Sequence, residues 1–426
     1  MIVRKLVPSV AFLLMLKGTM DAQTPAAEQL TISQATSEAV EHNAALRALS
    51  FESAAAHGDV TTAGLRPNPS LTVNGDLLPS EGLTPKDKEY GASLAFPFEL
   101  GGKRQARITA AQSQLDVTNL RYHDAVRQTL YAVKSGYIDL AGAFVKQSVS
   151  HESLKLLDSL VMLDRVRVQG QDIAAVDLAR SEVERDKFSL DVLAAEQTYR
   201  AASAAMLGLL GRKNYTRDHL LQPDTATILR AASLVDQELP SPDSLSAIAA
   251  ESRTDILVLR KSEEAATAQV ELAKSLAAID LTVSLDAIRQ QEVTFWGASL
   301  TLPLPIFDRH QGDIQKAEAL SSEAALQTEA ALVQLHSDLT TALTDAETKR
   351  ESLKRLVTNI LSKSQSVRQS VEYAYRRGGT SLVDFLDAAR TENELRALYV
   401  DALGAYAKSL ITLDYLTGKD LFYALP

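Results

Sequence analysis

The sequence predicts a mostly α-helical protein with a small β part, in which long coiled-coil helices accompany four amphipathic β-strands. Prolines are absent from two long runs, Phe98–Gln222 and Ile306–Leu425. Hydrophobic residues make up 46% of the chain but aromatic residues only 5%, so Ala, Leu and Val dominate. This composition suits helices that pack at close range. Four other segments alternate polar and apolar residues, which is typical of strands with one buried face.

The charge and the absence of cysteine exclude several classes of protein. The 426 residues include 44 Lys and Arg against 54 Asp and Glu, a formal net charge of -10. We expect no nucleic acid partner, because phosphate binding requires positive charge. With no cysteine, the chain cannot form disulfides, Cys-ligated zinc sites, iron–sulfur clusters or a lipid anchor on an N-terminal Cys.

The N-terminus has the pattern of a signal peptide. Arg4 and Lys5 precede the apolar run Leu6–Leu16, which is too short to span a bilayer as a helix. We expect cleavage after Ala22, although Met20 is larger than that position of the signal prefers, so the sequence leaves the exact site open.

The two proline-free runs predict long helices that reverse at glycines. The first helix is expected from about Gln105 to about Val168, on the order of 95 Å at 1.5 Å per residue. Helices of that length imply coiled-coil packing. Gly170 and the pair Gly378–Gly379 mark the expected reversals.

The alternating segments have the length of tilted membrane strands. Two hairpins are expected, which turn at Pro79–Lys88 and at Arg289–Glu292, and both turns are polar, as loops outside a membrane are. The four predicted strands are Ser70–Leu78, Glu89–Phe96, Asp280–Ile288 and Val293–Leu302.

The chain also repeats itself. Gly91–Pro97 resembles Gly297–Pro303, and each half has the order helix, hairpin, long helix, turn, long helix. We interpret this order as an internal two-fold repeat.

Four strands cannot close a membrane barrel, and open strand edges cannot face lipid. Several copies must therefore share one barrel. Two copies would give eight strands and a lumen filled by side chains, whereas three copies would give twelve strands and a pore.

Three segments resemble the TolC-like outer-membrane efflux proteins: Phe96–Arg107, Leu302–Asp313 and Tyr375–Ala388. The first two resemble the cobalt–zinc–cadmium branch in particular. The resemblance covers essentially the whole mature chain. It implies a homotrimer with a twelve-stranded barrel in the lipid of the outer membrane and a helical tunnel in the periplasm. It also implies two partners, an inner-membrane resistance–nodulation–division pump and a periplasmic adaptor.

The resemblance further implies a gate at the periplasmic tip. Asp384 and Asp387 match aspartates that ring the tunnel entrance, and Tyr375 matches a tyrosine of the closed-state lock. Thr380 and Ala175 replace the arginine and aspartate of that lock. Alternative locking pairs would join Arg376 or Arg377 to Asp172 or Asp177.

The same tip has a purely local interpretation. Ser381 followed by Asp384 three residues later is a capping box, which also favours an acid at a helix N-terminus. Both interpretations can hold together.

Proline and glycine mark the junctions where strand must become helix, because proline fixes φ and glycine tolerates unusual backbone angles. The junction residues are Pro97, Gly101, Gly102, Pro303 and Pro305.

No enzyme motif is present: the sequence contains no P-loop, GxGxxG, GxSxG or HExxH. We expect no catalytic residues, no cofactor and no metal ligands. The leading hypothesis is a passive exit duct for heavy-metal cations. Ducts for drug efflux or type I protein secretion are alternatives, and a periplasmic coiled-coil adaptor or scaffold is an alternative of another class.

These expectations divide the chain into nine segments. They are a signal peptide (1–22), an N-terminal segment with the first helix (23–66), a first hairpin (67–98), a long helical hairpin (99–212), an equatorial linker (213–242), a helix (243–279), a second hairpin (280–305), a second long helical hairpin (306–418) and a tail (419–426).

Overall fold

The computed structural model describes residues 28–75, 89–216, 219–290 and 293–423. The chain divides into two units. The first unit contains residues 1–45, 126–252 and 335–426, and the second contains residues 46–125 and 253–334. The expected signal peptide and the whole Pro79–Lys88 turn lie outside the described residues.

Helices account for most of the described chain, as the composition predicts. They are α1 (Ile32–His42), α2 (Ala44–Ala63), α3 (Lys103–Gln169), α4 (Ala175–Leu209), α5 (Ala226–Ser233), α6 (Pro242–Ser252), α7 (Thr254–Leu276), α8 (Gln311–Arg355), α9 (Leu361–Arg376) and α10 (Leu382–Thr417). The strands are β1 (Glu28–Leu30), β2 (Ser70–Gly75), β3 (Glu89–Phe98), β4 (Leu221–Pro223), β5 (Leu281–Gln290) and β6 (Val293–Thr301).

In the first unit, β1 and β4 form a short parallel pair. Helices α1, α3 and α4 bury apolar side chains against this pair, including Tyr137 and Tyr199. The Tyr137 hydroxyl donates to the carbonyl of Leu30 (2.7 Å), and that of Tyr199 donates to the carbonyl of Leu221 (2.8 Å). Each buried hydroxyl therefore satisfies a strand carbonyl.

The second unit contains a four-stranded antiparallel sheet in the order β2-β3-β5-β6. The second strand of the first hairpin thus pairs with the first strand of the second hairpin. Among the described residues, β2 and β6 each pair on one side only. No helix of the described chain is long and apolar enough to cross a membrane.

Several boundaries differ from the expectation. The 243–279 segment contains two helices, because Arg253 adopts an extended conformation (φ -74°, ψ 117°) and caps α7. Asn43 separates α1 from α2 in the same way, and its Oδ1 accepts from the amide of Ala45 (2.8 Å). Arg289 and Gln290 continue β5 rather than forming the turn.

A single π-helical turn, Leu356–Ile360, separates α8 from α9. Nothing in the residue pattern predicted it.

Candidate functional site

Two tight turns of the first unit carry the predicted gate residues. In the turn from α9 to α10, Gly378 is left-handed (φ 75°) and the amide of Gly379 donates to the carbonyl of Ala374 (2.8 Å). In the turn from α3 to α4, the amide of Asp172 donates to the carbonyl of Arg167 (2.9 Å). The chain reverses directly after Gly170, as expected, and the left-handed residue of the turn is its neighbour Gln171 (φ 62°).

Hydrogen bonds hold the side chain of Asp384 at the start of α10 and confirm the predicted capping box. Its amide donates to Ser381 Oγ (3.2 Å), and its Oδ2 accepts from the hydroxyls of Ser381 (2.7 Å) and Thr380 (2.9 Å). These hydrogen bonds, Ser381 first, hold the pKa of Asp384 below its ordinary value. Asp384 and Asp387 are both exposed and lie one helical turn apart, so their charges share one face.

Tyr375 is buried and contacts a side chain that the sequence did not single out. Its hydroxyl donates to Oδ1 of Asp164 on α3 (2.7 Å), and Asp164 is 0% exposed. Burial, followed by this hydrogen bond, raises the pKa of Tyr375. The two residues are 211 positions apart, so no local pattern could have paired them.

Arg167 completes this contact between α3 and the end of α9. Its Nη2 donates to the carbonyls of Tyr375 (3.1 Å) and Arg376 (2.7 Å), and its guanidinium lies 5.1 Å from the centroid of the Tyr375 ring. The two carbonyls belong to the last turn of α9, where a helix has no internal donors left.

The locking pairs suggested for Arg376 and Arg377 do not occur within the described part of one chain. Arg376 instead pairs with Glu372 on its own helix (2.9 Å), and the guanidinium of Arg377 lies 4.3 Å from the Tyr373 ring centroid. Asp177 pairs with Arg180 on its own helix (3.8 Å), and the amide of Asp172 closes its own turn. An ion pair between residues one helical turn apart loses less side-chain conformational entropy than an ion pair between two separate turns.

Ion pairs tie α10 to its neighbours beside the tip. Arg390 of α10 contacts Glu184 of α4 through both carboxylate oxygens, and Glu184 is buried. The hydrogen bond and charge of Arg390 hold the pKa of Glu184 below its ordinary value. Arg396 of α10 pairs with Glu152 of α3 (2.5 Å).

The first strand–helix junction lies between β3 and α3. Pro97 is near the end of β3, opposite Thr282, and the left-handed Gly101 and Gly102 (φ 69° and 74°) precede α3. A Cβ on Gly101 would lie 2.2 Å from that of Ala278, so only glycine fits there. Lys103 then pairs with Asp280 (2.8 Å).

The second junction is built differently. Pro303 and Pro305 lie between the end of β6 and the start of α8, and the left-handed residue is His310 (φ 58°). The amide of His310 donates to Asp308 Oδ1 (2.8 Å), which stabilises this conformation without glycine.

The register of the sheet separates two faces, since directly opposed residues lie on the same side. The apolar face is exposed, and Trp296 on it is 83% exposed. Its members include Leu71, Val73, Tyr90, Leu94, Phe96, Val283, Leu285, Trp296 and Leu300. The other face is polar over most of its area, with the apolar Ile288, Val293 and Phe295 near the ends of β5 and β6 that adjoin their turn. Its polar members include Ser70, Thr72, Asn74, Ser93, Thr282, Ser284, Asp286, Ser299 and Thr301.

Comparison with known proteins identifies the family that has this architecture. The family model described as outer membrane efflux protein matches residues 35–212 and 245–419. The chain belongs to the outer membrane efflux protein family. Proteins of this family are transport conduits rather than enzymes, and they work with an adaptor and an inner-membrane pump. The predicted family resemblance is thereby confirmed.

Individual proteins resemble the chain over most of its length. The cobalt-zinc-cadmium resistance protein CzcC of Cupriavidus metallidurans is 27% identical over 92% of this chain and 91% of its own. The crystal structure of CusC matches with a TM-score of 0.76 at 18% identity, covering 94% of this chain and 99% of that chain. The open state of the Neisseria gonorrhoeae MtrE outer membrane channel matches with a TM-score of 0.72 at 17% identity, covering 95% of both chains.

Proposed function

We propose that three copies of this chain form a passive exit duct through the outer membrane, the last component of a tripartite efflux system. The observation that carries the proposal is the four-stranded sheet, which has one exposed apolar face and one polar face. An apolar face of this kind suits lipid, and a polar face suits a wet lumen.

The free edges of the sheet support closure by copies of the same chain. The edge strands β2 and β6 run in opposite directions, because two strands lie between them and each pair of neighbours is antiparallel. Pairing β6 of one copy with β2 of the next therefore keeps every ladder antiparallel. Three copies give twelve strands, enough for an open lumen, whereas two would leave a filled one.

The tip of the first unit is the proposed gate. Asp384 and Asp387 supply acidic side chains on one face of α10, and three copies would ring the entrance with them. The buried contact of Tyr375 with Asp164, supported by Arg167, fixes the end of α9 against α3. We assign this contact to holding the closed tip.

The proposed cargo is heavy-metal cations, delivered by a resistance–nodulation–division pump. The similarity to CzcC over nearly the whole chain supports this cargo. The described residues contain no group of three or more His, Asp or Glu placed to hold a metal ion. We therefore assign the choice of cargo to the pump.

Cross-linking tests the trimer. The chain has no cysteine, so a variant with two cysteines, at Val73 on β2 and Leu300 on β6, carries only these two. In outer-membrane fractions, a bismaleimide can join the cysteine on β6 of one copy to the cysteine on β2 of the next. We expect a ladder that ends at three chains, and either cysteine alone is the control. A ladder that ends at two, or protein absent from the outer membrane, would contradict the proposal.

Cargo is tested separately in the source organism. Deletion of the gene should increase sensitivity to cobalt, zinc or cadmium, and the native chain should restore resistance. Sensitivity to organic drugs with unchanged metal resistance would replace metals with drugs as the cargo.

A further inference from the structure

A single aspartate lies in the middle of the polar face of the sheet. Asp286 of β5 is directly opposite Ser93 of β3 and Gly297 of β6. Its Oδ1 accepts from the Ser93 hydroxyl (2.5 Å), and its Oδ2 accepts from the Ser299 hydroxyl (3.2 Å). Hydroxyls from both neighbouring strands therefore orient the carboxylate.

The charge on this face has one sign. Among the described strand residues, the polar face carries two acidic side chains, Asp286 and Glu89, and no Lys or Arg. Glu89 lies at the end of its strand, opposite Gln290, whereas Asp286 is central. Arg289 is three residues after Asp286 on the same strand. Side chains an odd number of residues apart on a strand lie on opposite faces, so Arg289 lies on the other face.

Asp286 is half-buried in the sheet. Gly297, directly opposite, has no side chain, and even a Cβ built there would lie 3.8 Å from the Cβ of Asp286. Two hydroxyl donors do not compensate the charge of a carboxylate, which is costly to remove from water without a cation. This face must therefore contact solvent at the level of Asp286.

We propose that Asp286 is a specificity-determining residue of the duct, which makes the barrel lumen prefer cations to anions. The inference rests on the proposed trimer, in which three copies place one carboxylate each around the lumen. It is distinct from the acidic tip, because Asp286 belongs to the sheet and not to the helical turns.

The expected effect depends on salt in a defined way. Fixed charges of one sign in a cleft create potentials of several kT, which change the ratio of cations to anions by a few-fold or more. At 0.01 M salt the Debye length is about 30 Å, and at 1 M it is about 3 Å. Preference due to Asp286 should thus be strong in dilute salt and nearly absent in concentrated salt.

Reversal potentials in planar bilayers test the proposal. The measurements use purified channels with Asp384→Asn and Asp387→Asn, so that the tip does not dominate selectivity. In dilute KCl, adding Asp286→Asn should lower the K⁺/Cl⁻ permeability ratio a few-fold, and Asp286→Glu should retain it. Arg289→Gln, which removes a positive charge from the opposite face, should not lower the ratio.

The outcomes separate this inference from the proposed function. If purified protein forms no channels at all, the proposed duct is wrong. If channels form but Asp286→Asn keeps the permeability ratio of its parent in dilute KCl, the role of Asp286 is wrong. If Asp286→Asn does not insert, the parent channel alone tests the inference. Its K⁺/Cl⁻ permeability ratio should be lower in concentrated KCl than in dilute KCl, and an equal ratio in the two would overturn the inference.

Discussion

Gln171 shows how one residue ends a helix of 67 residues. It takes the left-handed conformation (φ 62°) that allows the amide of Asp172 to bond the carbonyl of Arg167. Residues with a Cβ reach this conformation at a cost, and glycine does not. The second tip turn uses Gly378 at the corresponding place (φ 75°), so the two turns differ in strain.

We predict that Gln171→Gly stabilises the first tip turn by about 0.5–1 kcal/mol. Hydrogen exchange of the amides around residue 171 should slow accordingly. Gly378→Ala is the matched control, because no atom lies within 4 Å of the added Cβ, and it should destabilise its turn by about 1 kcal/mol through backbone strain alone. Faster exchange in Gln171→Gly would contradict this account.

At the scale of elements, α4 and α10 begin differently although both follow tip turns. Ser381 caps α10 through a complete capping box, whereas the residue before α4, Ala174, makes no side-chain hydrogen bond to the helix. Asp177 already occupies the third position of α4, where a capping box has its acid.

Ala174→Ser should therefore stabilise the start of α4 by about 1 kcal/mol, and Ser381→Ala should destabilise the start of α10 by a similar amount. Opposite changes in exchange protection, confined to the first turn of each helix, would support the prediction. An unchanged first turn of α4 in Ala174→Ser would contradict it.

The C-terminal segment is held by one buried carboxylate. Asp414 accepts from the amides of Leu421, Phe422 and Tyr423 at 2.7–2.8 Å. Burial raises its pKa to about 6, from 3.8 for an ordinary aspartate, against the opposing effect of these amides. Folded protein thus binds more protons than unfolded protein between these two values.

We predict that the contribution of Asp414 to the free energy of unfolding falls as the pH rises from about 4 to about 6, by on the order of 2–3 kcal/mol per chain. Urea unfolding of the purified protein across this range measures the slope. Asp414→Asn should remove that part of the slope whatever its effect on absolute stability. If Asp414→Asn shows the same slope as the native protein, other titrating groups cause the slope.

Helix and strand periods predicted most elements because each arises from neighbouring residues. The long helix expected from about Gln105 to about Val168 extends from Lys103 to Gln169, and β3 and β6 agree with prediction to within two residues. Strands β1 and β4 have three residues each, too few for a period. The contact of Tyr375 with Asp164 depends on tertiary packing, which no local pattern encodes.

At the scale of the whole molecule, the proposed trimer would multiply each exposed charge by three. At the tip, Asp384 and Asp387 lie on one face of α10, and hydrogen bonds from Ser381 and Thr380 keep the pKa of Asp384 low. Asp384 therefore stays ionised under ordinary recording conditions. A ring of such carboxylates attracts cations and binds multivalent ones most strongly.

We predict that the double variant Asp384→Asn, Asp387→Asn has a weaker cation preference than the native channel, retaining only the part due to the barrel lumen, and is no longer blocked by multivalent cations added on the tip side. Asparagine retains an oxygen that can accept from Ser381 and Thr380, so the start of α10 should persist. Single-channel recording in planar bilayers measures both properties. Ser381→Ala is the control, because it weakens the cap by about 1 kcal/mol but leaves both charges in place. If the double variant keeps native selectivity and block, Asp384 and Asp387 serve only the helix start and the solvated surface, and the gate lies elsewhere.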